Sequence, residues 1–243
     1  MNKTTLRPAI AMIELIFAIV IMGIVLMSAP MLISTASKSG YVAIQQEAIN
    51  EAASQVNMIM GYHWDENNTN EDYIPPILEV SSSGDTALNE VNISAVPTGR
   101  RLGTPKESYR AFIRADGQRL RTSASLQSET GETEEDDMDD STGTSVQLAL
   151  IPEATLENDA DNVETTTIDI NRTVAYSDDN ASYNSSSISY DPFASPSGSG
   201  STNIKSITVT LTSTSGVDEL DKEIILRAFS CNIGGYKLEE RDF

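Results

Sequence analysis

Residues 15–37 form a run of 23 positions without a charge. Coiled as a helix at ~1.5 Å of rise per residue, that run crosses the ~30 Å hydrocarbon core of a bilayer. The helical pattern does not stop there. Val42, Ile49, Val56 and Ile59 recur at helical spacing, with Ala52, Ala53 and Met60 filling the stripe, while Gln45, Glu47, Asn50 and Ser54 face the other way. Gly61 and the Asp/Asn-rich stretch behind it supply a stop. The pattern predicts one continuous helix over about residues 10–60. Its first half, 10–37, is apolar all round; its second, 38–61, is two-faced.

After Gly61 the period shortens. β-like runs stand at 77–80, 91–96, 109–114, 146–151 and 165–176, separated by polar stretches. In the last of these, Ile168, Ile170 and Val174 alternate with Thr167, Asp169, Asn171 and Thr173, and Arg172 falls on the apolar side. Ile207, Val209 and Leu211 then alternate with Thr208, Thr210 and Thr212; "TSTSGVDELD" turns the chain, and 223–231 returns as a second strand. This is an antiparallel hairpin, with the sheet laid across the helix. The expected class is α+β: a long N-terminal helix, transmembrane in its first half, packed on a β-rich domain (62–243) with long irregular acidic loops. Three segments read as loops: 62–72, 129–140 and 177–201. The second, "ETGETEEDDMDD", holds eight acids in twelve residues and reads as a solvated run of like charge.

Charge narrows the partners. Sixteen Lys+Arg against 36 Asp+Glu leave a formal net charge of -20. Such a chain is not expected to bind nucleic acid, whose phosphates call for Lys and Arg. One cysteine and one histidine exclude an intrachain disulfide and the common His-pair metal sites.

The one charge at the edge of the apolar run is Glu14, within "LRPAIAMIELIFAIVIMGIVLMSAP". A carboxylate in hydrocarbon is costly and calls for a partner. A cleaved secretory signal, with small residues at Ser34, Thr35 and Ala36, gives it no role, and its core would be longer than the usual ~7–15 residues. A plain single-span anchor gives it none either. With basic Lys3 and Arg7 ahead of it, the stretch resembles the N-terminal signature of type IV prepilins and type II secretion pseudopilins. Ile10-Ala11-Met12-Ile13-Glu14-Leu15 stands where that family has its hydrophobic-Thr-Leu-Ile-Glu-Leu run. Gly23 matches a common glycine, and Pro30 lies one residue before the usual proline. Ala9 stands where the family prefers Gly, and Ile10 where it usually has Phe.

The resemblance implies a leader over residues 1–9, removed by a prepilin peptidase between Ala9 and Ile10, and methylation of the new N-terminal Ile10. It implies other pilin or pseudopilin subunits as partners through the N-terminal helix. It also implies a single pass through a bacterial inner membrane, with the C-terminal domain periplasmic or in an extracellular filament. Glu14 then meets the freed amine of a neighbouring subunit, as an assembly and register device. With its large irregular domain the chain resembles a minor subunit. The rival expectation is a membrane-tethered acidic binding module that does not polymerise.

The remaining chemistry is sparse. Some pseudopilins hold calcium in their C-terminal β region, which here points to Asp218, Glu219 and Asp221. No cofactor is otherwise expected. Residues 129–140 lack the EF-hand register, and Asp65, Asn67 and Thr69 are followed by Asn70 where a calcium loop needs Gly. Cys231 reads as a small buried hydrophobe rather than a partner of His63. No Gly-rich phosphate loop, nucleophile elbow or pair of catalytic carboxylates is present, so no enzyme is expected.

Overall fold

A computed structural model describes residues 7–81, 90–123, 126, 135–150, 166–179, 181, 185–195, 200–213 and 220–237. One helix, α1 (Arg7–Gly61), runs unbroken for 55 residues through Pro30. Its end matches the stop signalled by Gly61. The four-stranded antiparallel sheet follows chain order: β3 (Ser145–Leu150), β4 (Thr166–Tyr176), β5 (Ile204–Ser213) and β6 (Ile224–Cys231). A separate hairpin pairs β1 (Glu90–Ile93) with β2 (Val96–Arg101). The class is α+β.

Alternation decides which face of the sheet meets α1. On β4, Ile168, Ile170, Arg172 and Val174 are buried between exposed or half-buried neighbours. On β5, Ile207, Val209 and Leu211 are buried between half-buried threonines. The register aligns these rows: Ile170 opposes Leu211, Arg172 opposes Val209, and Val174 opposes Ile207. One core joins Ala48, Ala52 and Val56 of α1 to Ile168, Ile170, Val209 and Leu211. A second gathers Ile59, Trp64, Leu78, Met138, Val174 and Ile207 at the helix end. The β5–β6 hairpin forms as its sequence predicts, with Ile204 opposite Cys231 and Leu211 opposite Ile224.

The packed stripe of α1 is shifted from the predicted one. Val42 and Met60 are 64% and 48% exposed, and the line that meets the sheet is Ile44, Ala48, Ala52, Val56 and Ile59. Gln45, expected to face away, is half-buried. Two alanines on the line let the backbone approach the sheet closely, which large apolar residues would prevent. The run at 91–96 is also not one strand. Ser94 and Ala95 both adopt positive φ, 54° and 65°, and turn the chain between β1 and β2, as a two-residue hairpin loop of the primed type requires. The runs at 77–80 and 109–114 contribute only the isolated bridges Glu79–Arg121 and Ile113–Arg119.

Candidate functional site: an uncovered apolar helix and a buried lysine centre

Every side chain from 11 to 40 is exposed. Large apolar residues on all sides of α1 stand bare, from Val20 at 52% to Met27 at 83%. The most apolar 18-residue window has a mean hydropathy of 2.7, and none of it is buried. A helix apolar all round is stable in water only when something covers it. This one is long and apolar enough to cross a bilayer. Glu14 lies on this bare surface, and none of the ion pairs among the described residues includes it. Ala9 and Ile10 lie within the first turns of α1.

At the other end of α1 is a centre that the sequence reading missed. Lys205, at the start of β5 and on its inner face, is completely buried. Its Nζ lies 2.5 Å from Asp139 Oδ1, 2.5 Å from the Trp64 carbonyl oxygen and 3.5 Å from Asp65 Oδ2. The ammonium also faces the rings of Trp64 and Tyr176, 4.4 Å and 5.6 Å from their centroids. A buried ammonium is tolerable only with such partners.

The carboxyls come from two places. Residues 63 and 136–138 pair as soon as α1 ends: the His63 amide donates to the Asp136 carbonyl, and the Met138 amide to the His63 carbonyl. That pairing draws Asp137, Met138, Asp139 and Asp140 inside, each 3% exposed or less. The expectation of a solvated run therefore fails for these residues. The like charges are tolerated because a lysine 66 positions away from Asp139 sits among them. The stretch 62–72 is a loop as expected, but Asp65 within it is buried, at 0% exposure. It caps a short 3₁₀ turn, accepting from the Asn67 amide, and also accepts from the amide and hydroxyl of Ser123. The Trp64 and Tyr176 rings pack at 6.2 Å over this corner.

The carboxyls do not titrate alike. Burial, then repulsion from Asp139, pushes Asp137 up to about 8, although Lys205 opposes the shift. Its Oδ1 accepts from the Asp139 and Asp140 amides, and its protonated form shares a hydrogen bond with the Asp139 side chain. Burial also raises Asp139, against the pull of Lys205. Burial and the nearby negative charge of Asp65 raise the Tyr176 hydroxyl. Burial thus favours the protonated form of Asp137, beside the hydrogen bond from Lys205 to Asp139.

Other candidates are placed as follows. Asp218 and Glu219 lie outside the described residues, and Asp221 is exposed. Among the described residues no group of three or more His, Cys, Asp and Glu side chains is arranged to hold a metal. Cys231 is half-buried at the end of β6, and burial, with Asp179 nearby, raises its thiol. A groove of about 480 Å³ beside β2 holds Arg101, Arg119 and Arg121. Glu79 and Glu90 engage the last two, and Asn203 with the Asn232 carbonyl engages the first, so all three guanidiniums are held by groups of the protein itself. Compared with known proteins, the chain matches no family model, no curated protein and no solved structure.

Proposed function

We propose that the chain is a pilin-like structural subunit, a minor pilin or minor pseudopilin of a type IV pilus or type II secretion pseudopilus. It is anchored in the membrane by the first half of α1, processed between Ala9 and Ile10, and recruited into a filament through that helix. One observation carries the reading: α1 is a single uninterrupted helix, bare through residue 40 with a long apolar run up to Ile33, and packed on the sheet from Ile44 to Ile59. A plain anchor needs no rigid continuation into the core of the domain. A filament subunit does, because its apolar half must stack at a fixed distance from its folded half.

Glu14 fits the same scheme. It lies on the bare surface, four residues beyond the proposed new amine of Ile10. In a stack of helices the amine of one subunit neutralises Glu14 of the next, so that one register is favoured over other slips. Terminal sequencing and intact mass of the protein purified from membranes test the processing step. A start at Ile10 with an added methyl is the expected result. An intact leader, or a start at Ser37, overturns the reading in favour of a tethered module or a cleaved secretory signal, respectively.

A further inference from the structure

We propose that Lys205 and Asp139 become joined by an isopeptide bond, formed within the folded domain by attack of Lys205 Nζ on Asp139 Cγ with loss of one water. The proposal stands apart from the pilin-like reading, since it concerns only the corner where α1 meets β5.

The geometry supplies what amide formation between two side chains needs. Nζ is hydrogen-bonded to the carboxyl oxygen it must displace, and both side chains are buried, at 0% and 3% exposure. Holding an amine against an acyl carbon in this way replaces a bimolecular encounter with a unimolecular one. The Trp64 and Tyr176 rings exclude water from the ammonium side. Burial strips hydration from both partners, so moving a proton from nitrogen to the carboxyl oxygen costs less here than in water. Asp139 is already pushed towards the acid form by burial.

The steps balance without an outside reagent. One proton passes from the ammonium to the Asp139 carboxylate. The nitrogen lone pair then forms the N–C bond while the carbonyl electron pair moves to oxygen. On collapse, the hydroxyl leaves and takes the second amine proton as water. We assign the relay of that proton to Asp137, whose buried carboxyl accepts from the Asp139 amide and lies beside the Asp139 side chain. Asp137 ends with the proton it began with, and nothing is oxidised or reduced. The product has no charge on either side chain, which removes the cost of keeping both ions out of water.

Asp65 is the wrong acceptor although its Oδ2 is 3.5 Å from Nζ. Donors from Ser123 and Asn67 already occupy both of its oxygens and turn the carboxyl away from the amine. Asp140 is likewise held by the Asp136 and Asp137 amides.

The test is the intact mass of the full chain, purified in detergent and measured denatured, with peptide mapping of the same sample. The expected mass is one water below that of the sequence, counted from whichever N-terminus the sample shows. The expected map has one branched peptide joining Lys205 to Asp139. Asp139→Ala and Lys205→Met should return the full mass and lose the branched peptide, whether or not they fold well. Asp137→Asn should lower the rate of cross-linking by about a hundredfold or more, as loss of a placed proton carrier does. Full sequence mass in the wild type, or a branch at Asp65, overturns the cross-link. An undiminished rate in Asp137→Asn overturns the role given to Asp137. The leader is read separately, from the N-terminus, so failure of either idea leaves the other standing.

Discussion

Arg172 on β4 and Gln55 on α1, 117 residues apart, are joined by a hydrogen bond of 3.3 Å beneath the sheet. The same guanidinium makes two bonds to Glu135, at 3.0 and 3.3 Å. A charge on the apolar side of a strand is thereby turned into a clasp between sheet, helix and the 135–141 segment. Glu135 keeps 37% side-chain exposure, so losing its partner does not strand a buried charge. Arg172→Ala should therefore cost about 1–3 kcal/mol, less than breaking a fully buried pair, and Arg172→Met, which keeps the packed stem, less again. Denaturant melts of a chain starting at residue 38 measure both.

That shortened chain is itself a prediction. Residues 38–243 should be a soluble, cooperatively folded monomer, because every side chain from 11 to 37 that is removed is exposed. Starting instead at Gly61 removes Ala48, Ala52, Val56 and Ile59 from both cores and should abolish the cooperative melt. An unchanged circular-dichroism transition in the shorter piece would contradict the packing of α1.

The shifted helix stripe can be checked by two substitutions. Ala52 is completely buried against the sheet, so Ala52→Leu should overpack it and cost about 1–3 kcal/mol. Val42 belonged to the stripe read from sequence but is 64% exposed. Val42→Ser should change stability by no more than about 0.5 kcal/mol. Equal losses at the two sites would restore the original stripe.

Asp137 sets a pH dependence whose sign is fixed. Its folded value, about 8, lies above its ordinary 3.8, so the folded state holds this proton more tightly than the unfolded chain. Its contribution is full in acid and is lost as pH rises from about 4 to about 8. Asp139 and Asp140 reinforce the shift and Lys205 opposes it. Burial is the largest cause, so the sign is the same with or without a Lys205–Asp139 bond. Asp137→Asn should flatten the fall in melting temperature across that window; a steeper fall would place the proton elsewhere.

Glu14→Gln addresses assembly. Membrane insertion and domain folding should be intact, and insertion improved, since a charged residue in a bilayer helix costs ~2.5–3.5 kcal/mol on insertion scales and an amide costs less. Co-purification with filament subunits should fall, with Glu14→Asp intermediate. Equal co-purification of wild type and Glu14→Gln at equal membrane levels would show that the carboxylate serves no neighbour.

What was legible in the sequence is what depends on neighbours along the chain. The extent of α1 followed from an unbroken helical period and Gly61, and the β5–β6 hairpin from strict alternation around a turn. The inward direction of Arg172 was visible too, though its partners were not, since Gln55 and Glu135 lie far away in sequence. The burial of Asp137, Asp139 and Asp140 was hidden for the same reason. A run of like charge is solvated unless a distant cation enters it, and only the register of β5 brings Lys205 there. The stripe on α1 was misplaced because large apolar residues were weighted above alanine, while close packing against a sheet favours the smaller side chain.

The order of elements also fixes a timetable. The residues of α1 that meet the sheet leave the ribosome first, and their partners on β5 and β6 leave almost last. Until β5 and β6 have emerged, the line from Ile44 to Ile59 has only part of its partners, among them Trp64, Leu78 and the β4 residues Ile168 and Ile170. The sheet can grow strand by strand, because each of β3 to β6 pairs with the next in sequence. Closure onto the helix comes only with the finished sheet. The newborn chain therefore passes most of its synthesis with the packing half of its helix only partly covered, and its window for misassociation closes as the last strands arrive.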